Sequence, residues 1–170
     1  MNPVATASRR AFVCALAGLA AGSSTALEAP AGRVVLTISG EIEVRNSPEG
    51  AHFDMAMLEK LPQHSFSTRT PWFPEPRKFT GVLLRDLLAS VGAHGRTAKA
   101  VALNDYRVDI PVDEAARHEV MVAYRLDDKP MAVRDKGPLV VIYPFDSQPG
   151  LRSAVHYGRA AWQLRQIELR

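Results

Sequence analysis

Short segments with the composition of β-strands, rather than helices, dominate the chain after residue 32. Residues 33–39 alternate in polarity and are rich in β-branched side chains, and residues 139–143 form a continuous apolar run typical of a buried strand. We predict further strands at 65–68, 98–103, 106–111, 120–126, 131–133 and 162–169, and a continuation of the first strand at 41–44. These strands do not alternate regularly with helices, and the pattern therefore indicates an α+β fold with a mixed β-sheet core.

Only a few short helices are predicted. The clearest spans residues 83–91, where the apolar residues share one face and Gly92 provides a stop at the C-terminal end. Residues 53–61 are predicted as a helix with Asp54 near its start, and residues 113–117 as a single turn capped by Asp113.

Residues 70–78 contain three prolines, and we predict a loop there because proline interrupts both helices and sheets. The same segment carries Trp72 and Phe73. Such a loop could line a pocket. The alternative, which we favour, is that both aromatic side chains cover the core as a lid, since aromatic residues contribute strongly to core burial.

The first 26 residues differ from the rest of the chain. They contain no acidic residue, and two arginines precede an apolar run at 11–22 and small residues at 23–26. This pattern predicts a secretory signal peptide cleaved after Ala26, and residues 8–13 (SRRAFV) are similar to the twin-arginine export motif. Ordinary Sec export and a buried N-terminal helix are the alternatives. We expect a periplasmic protein with one domain at 27–170 and no transmembrane helix in that domain.

The composition of residues 27–170 excludes several function classes. The 21 Lys+Arg of the chain include Arg9 and Arg10, so 19 remain against 18 Asp+Glu, and this balance argues against nucleic acid as a partner. The single cysteine is Cys14, so a disulfide framework and a cysteine-based zinc site are excluded. The five histidines have no metal-ligand spacing, and no catalytic motif is present. We predict neither a catalytic residue nor a metal ligand.

Five segments, in order, resemble the sulfite oxidase-type molybdopterin-binding oxidoreductase domain. Residues 79–88 (FTGVLLRDLL) are similar to its W/F-x-G-V-x-L-x-D-L-L segment, and residues 104–111 (NDYRVDIP) to its D-G-Y…P hairpin. Its later motifs are L-A-x-x-x-D/N-G-x-P-L, G-x-P-[LV]-R-[LV]-[LV]-x-P and K-W-[LV]-x-x-I-x-[LV]. They resemble residues 122–131, 137–144 and 162–169. The resemblance covers about residues 33–170 and implies the fold of that superfamily, with molybdopterin as the cofactor of its enzymes.

The departures from the family pattern bear on function. The resemblance implies a metal bound through a cysteine thiolate, but the matching stretch, residues 66–70 (FSTRT), has none. A hydroxyl is a poor replacement because it is a harder donor with a much higher pKa. Val140, Phe145 and Ala161 stand where the family has Arg, Gly and Lys, and a pterin phosphate needs cations and N–H donors.

We therefore expect an exported, non-catalytic, sensor-type domain that binds a small molecule, a cofactor or a periplasmic or membrane protein partner. The alternative is a molybdopterin-dependent periplasmic oxidoreductase with an atypical metal ligand. The resemblance places the pocket walls at 67–72, 104–106 and 143–159. The candidate binding residues are Thr68, Arg69, Trp72, Asn104, Asp105, Tyr106 and Arg159.

Overall fold

Residues 27–170 are described by a computed structural model, and the predicted signal peptide lies outside the described residues. The strands are β1 (Leu36–Gly40), β2 (Ala51–Phe53), β3 (Gln63–Thr70), β4 (Phe73–Leu83), β5 (Thr97–Ala102), β6 (Arg107–Pro111), β7 (Met121–Leu126), β8 (Lys129–Pro130), β9 (Val140–Ile142) and β10 (Leu164–Leu169). The helices are α1 (Met55–Lys60), α2 (Leu84–Ser90), α3 (Val112–Arg117) and α4 (Ala154–Arg159). Single 3-10 turns lie at Val133–Asp135 and Pro149–Leu151. None of these helices is long and apolar enough to cross a membrane.

The strands form two sheets. The first has the order β2-β1-β10-β5-β6, and its β1–β10 pair is parallel while the others are antiparallel. The second has the order β3-β4-β7-β8, with β9 also pairing with β7. An isolated bridge between Val140 and Trp162 connects the two sheets. The expected α+β fold with a mixed sheet and a few short helices is confirmed.

One hydrophobic core joins the two sheets. Strand alternation places Leu36 and Ile38 of β1 in this core, while β9 is buried along its whole length, as its continuous apolar sequence predicts. Helix α2 contributes Leu84, Leu87 and Leu88 from the face that the sequence predicts.

The capping residue predicted for α1 is correct, whereas the one predicted for α3 is not. Asp54 caps α1 as expected, since its carboxylate accepts the N–H groups of Met57 at 2.9 Å and Gly32 at 2.7 Å. Helix α3, in contrast, begins at Val112 after Pro111, without a side-chain cap. The predicted cap Asp113 instead lies in the first turn, where its charge favours the helix dipole.

The predicted loop at 70–78 is wrong, because most of it belongs to β4. In the β3–β4 ladder Thr68 is opposite Arg77 and Thr70 is opposite Phe73, so residues 74–76 form an irregularity opposite the single residue 69. Both prolines inside β4 lie in this irregularity, where no regular ladder bond is required of them. A proline-rich sequence is therefore compatible with a strand here.

Two smaller predictions also differ from the structure, and one helix was not predicted. Residues 41–44 do not continue β1, because Gly40 turns the chain at a φ of +87° and the N–H groups of 43 and 44 donate to the Val91 carbonyl. The strand predicted at 131–133 is displaced to β8, since the turn at 127–128 already pairs residue 129 with residue 126. Helix α4 has no counterpart among the helices predicted from the sequence.

Candidate functional site

Four aromatic side chains meet where the two sheets and α4 come together. Trp72 lies between β3 and β4, Phe145 follows β9, Tyr157 belongs to α4, and Trp162 lies two residues before β10. The Trp72 ring centroid lies 5.2 Å from that of Trp162, 6.1 Å from that of Tyr157 and 6.3 Å from that of Phe145. The Trp162 and Tyr157 contacts are edge-to-face, which the ring quadrupoles favour. We call these four residues the aromatic cluster.

A cavity of about 270 Å³ borders the aromatic cluster. It is lined by Trp72, Asn104, Tyr106, Tyr157, Ala160, Trp162 and Gln163. None of these side chains carries a formal charge, and two of them are carboxamides. We call this cavity the aromatic pocket. Two larger clefts, of about 630 and 510 Å³, are lined by residues outside the aromatic cluster.

The β5–β6 turn forms one side of the aromatic pocket. Asn104 Oδ1 accepts the Tyr106 N–H at 3.1 Å, and the Tyr106 hydroxyl donates to the Gly158 carbonyl of α4 at 2.5 Å. Asp105 adopts a positive φ of 63° between them. Its carboxylate accepts a hydrogen bond from Arg165 at 2.9 Å, and Asp105 is not among the residues lining the pocket. The turn therefore presents Asn104 and Tyr106 to the pocket and directs Asp105 to an ion pair.

Thr68 and Arg69 occupy a different environment, next to Asp146. The buried Thr68 Oγ1 accepts the Asp146 N–H at 3.1 Å, while the Arg69 N–H donates to Asp146 Oδ2 at 2.8 Å. Arg152 donates to the other carboxylate oxygen at 2.6 Å. The Arg69 N–H, followed by Arg152, lowers the pKa of Asp146. The contacts join the end of β3 to the segment after β9, and neither Thr68 nor Arg69 lines the aromatic pocket.

Arg159 belongs to a charged cluster around Glu114 of α3. Arg159 Nη1 donates to Glu114 Oε2, the Tyr143 hydroxyl donates to Glu114 Oε1 at 3.1 Å, and His156 Nε2 lies 3.4 Å from the same oxygen. The Glu114 and Arg159 side chains are only 13% and 21% exposed. Burial, followed by the negative charge of Glu114, raises the pKa of Tyr143. We call these four residues the Glu114 network, and Arg159 is committed to it.

The structure thus brings three of the predicted residues, Trp72, Asn104 and Tyr106, together at one cavity. Tyr157 lies within the wall predicted at 143–159 but was not among the candidate binding residues. Gln163 was missed, and Trp162 was assigned only to a strand. A signal was available, because the two tryptophans of the chain are Trp72 and Trp162, and both lie at the pocket. Glu114 and His156 carried no local motif.

A thiolate-bound metal cofactor does not fit the donors present. The Thr68 hydroxyl accepts an N–H from Asp146, and the Thr70 hydroxyl accepts the Trp72 N–H at 3.4 Å. Within residues 27–170 no three His, Cys, Asp or Glu side chains are grouped so as to hold a metal ion. The pocket lining lacks a cation for a phosphate, although Lys136 Nζ lies 5.4 Å from the centroid of the Trp162 ring.

Comparisons with known proteins agree with the architecture. The family model described as "Oxidoreductase molybdopterin binding domain" matches residues 70–154. Among solved structures, the sulfane dehydrogenase SoxCD from Paracoccus pantotrophus is similar, with a TM-score of 0.59 and 15% sequence identity. The match covers 79% of this chain but 37% of that chain, and at this identity it shows a shared fold. No curated protein is a significant match.

Proposed function

Because the chain belongs to the oxidoreductase molybdopterin-binding domain family, we propose that it keeps the fold of that family and binds a small ligand without catalysing a redox reaction. The observation that carries the proposal is the chemistry at the end of β3. The stretch matched to the family's cysteine offers only hydroxyls, and those of Thr68 and Thr70 already accept backbone N–H groups. Trp72 follows directly and joins the aromatic cluster.

The aromatic pocket suits a small, uncharged, ring-shaped ligand. Its walls are largely aromatic rings, and its polar groups are the carboxamides of Asn104 and Gln163 and the hydroxyls of Tyr106 and Tyr157, an arrangement common in small-molecule sites. Asn104 Oδ1 is used by Tyr106, and Gln163 Nε2 donates to the Val133 carbonyl at 2.8 Å. Among the described residues, Asn104 Nδ2, Gln163 Oε1 and the Tyr157 hydroxyl therefore remain as hydrogen-bonding groups for the edge of a ligand.

We also propose that the domain acts in the periplasm, on the basis of the signal-peptide pattern in residues 1–26. A periplasmic or membrane protein partner is the second kind of binding that such a sensor-type domain would support. The uncharged lining of the aromatic pocket favours the small molecule as its occupant.

The second candidate function is a molybdopterin-dependent oxidoreductase with an atypical ligand, which family membership favours. Metal analysis decides between the two. The full chain is to be expressed in a host competent for twin-arginine export and molybdopterin synthesis, and its molybdenum and extractable pterin measured. We expect neither in stoichiometric amount. Stoichiometric molybdenum or pterin would refute the non-catalytic proposal.

Ligand binding can be followed by intrinsic fluorescence, since both tryptophans border the pocket. Free nucleobases and nucleosides serve as uncharged ring probes, with the corresponding nucleotides as charged comparisons. We expect a saturable change in emission with an uncharged probe and weaker binding of its phosphate. Tyr157→Ala should weaken binding at least tenfold, whereas Val155→Ala, on the same helix and 60% exposed, should not. Equal binding to both variants would place the ligand elsewhere.

A further inference from the structure

Helix α4 forms a wall of the aromatic pocket without being anchored in the core. It is six residues long, and none of its residues is fully buried. Most helices are held in place by an apolar face packed on the rest of the protein. Tyr157 provides some of this packing, at 4.7 Å from Phe145 between ring centroids, but the outward Val155 provides none. Polar contacts must therefore provide much of the interaction that holds α4 against the rest of the protein.

These polar contacts converge on one carboxylate. Two of the six α4 residues, His156 and Arg159, have side chains that end at Glu114 of α3. The same carboxylate accepts the Tyr143 hydroxyl, and Ser153 Oγ, at the start of α4, lies 2.8 Å from His156 Nδ1. Because the pair of Glu114 and Arg159 is largely buried, removing the carboxylate would leave the guanidinium without a partner in a low-dielectric site.

A second contact holds α4 from the other side. The Tyr106 hydroxyl, on the β5–β6 turn, donates to the Gly158 carbonyl at 2.5 Å. Between these two attachments lies Tyr157, whose ring meets Trp72 edge-on at 6.1 Å. A shift of α4 would therefore move Tyr157 away from Trp72 and open the pocket on that side.

From this arrangement we infer that Glu114 is a positioning residue for the aromatic pocket. It does not line the pocket and acts through Arg159 and His156, which fix α4 and with it Tyr157 and the Gly158 carbonyl. That the positioned wall serves a ligand rests on the proposed function. The effect on the shape of the pocket does not, and it can be measured with no ligand present.

The test is acrylamide quenching of tryptophan fluorescence in native buffer, which reports on Trp72 and Trp162 alone. Glu114→Gln keeps the size of the side chain and removes its charge. It should raise the quenching constant roughly twofold or more, because a loosened wall exposes the rings to the quencher. Asp113→Asn is the matched control on the same helix, since Asp113 is exposed and pairs with Arg117. It should leave quenching unchanged.

Urea unfolding separates positioning from general stabilisation. A residue that only stabilises the fold would lower the urea midpoint without changing quenching of the folded protein. Wild-type quenching in folded Glu114→Gln would therefore overturn the inference. If that variant does not fold, Arg159→Lys and His156→Gln, which each weaken one contact to Glu114, replace it. Wild-type quenching in both would overturn the inference equally.

A binding measurement with a ligand distinguishes the positioning role from the proposed function. If an uncharged ring probe binds the wild type, Glu114→Gln should weaken it by roughly tenfold although no lining residue has changed. If no probe binds but quenching rises in Glu114→Gln, the proposed function fails and the positioning role stands. If the probe binds the wild type and Glu114→Gln with equal affinity and quenching is unchanged, the positioning role fails and the proposed function stands.

Discussion

Replacing Trp72 with alanine tests whether this side chain is held in the fold as well as exposed to a ligand. Its ring makes three contacts, with Trp162, Tyr157 and Phe145. Each aromatic pair contributes about 0.5–1.5 kcal/mol beyond area burial, which sums to about 1.5–4.5 kcal/mol. A fully buried Trp→Ala change costs about 3–5 kcal/mol. Trp72 is only half-buried, so the loss should be smaller than for a fully buried tryptophan. We therefore expect the free energy of unfolding to fall by about 2–3 kcal/mol, which lies within the range given by the ring contacts.

Urea unfolding followed by far-UV circular dichroism measures this loss, because the substitution removes one of the two fluorophores. A fall in Tm of about 4–12 °C should accompany it at this chain size. Trp72→Phe, which keeps a ring, should retain most of the stability, and the exposed Val155→Ala should stay within about 0.5 kcal/mol of the wild type. A loss below about 0.5 kcal/mol for Trp72→Ala would show that the ring is not packed, and the argument from ring contacts would fail.

Three further outcomes follow from backbone and charge contacts. Gly81→Ala should lower the free energy of unfolding by more than about 2 kcal/mol in urea unfolding, since a Cβ there would lie 2.1 Å from the Val122 carbonyl oxygen of the neighbouring strand. Gly150→Ala, where a Cβ meets nothing within 4 Å, is its control, and equal losses would contradict the reasoning. The Met57 and Gly32 N–H groups lower the pKa of Asp54, so its contribution is present above about pH 4 and is lost as pH falls through the lower folded-state pKa. Asp54→Asn should therefore flatten the acid side of the stability–pH curve, and an unchanged slope would count against this role. Arg69→Ala should leave the Tm nearly unchanged, because the contact to Asp146 comes from its backbone N–H, and a large fall would reveal a side-chain role.

Features that depend on residues close together in the chain could be predicted from the sequence. The buried face of α2 and the Asp54 cap of α1 follow from periodicity and a single capping residue. The ordered motifs also predicted the family, which the family model at residues 70–154 confirms. The prolines of β4 were misleading because their tolerance depends on the bulge opposite residue 69, which the local sequence does not contain.

The site was only partly predictable, because its residues meet over long stretches of chain. Trp72 and Trp162 come into contact only where the two sheets meet. Glu114 and Arg159 form an ion pair although 45 positions separate them in the chain. Nothing near either residue signals its partner. The two interpretations of Trp72, pocket wall and lid over the core, are both realised, since the ring lines the cavity and packs on the cluster.

The position of β10 within the first sheet has a consequence for synthesis and folding. β10 lies between β1 and β5, so it links the β2–β1 pair to the β5–β6 pair. While a ribosome is still adding residues 164–169, those two pairs have no common neighbour and their inner edges remain open. Unpaired edges of this kind invite association with other chains. The emerging protein therefore depends on β10 to complete the sheet, and a chain truncated before residue 164 should aggregate rather than fold.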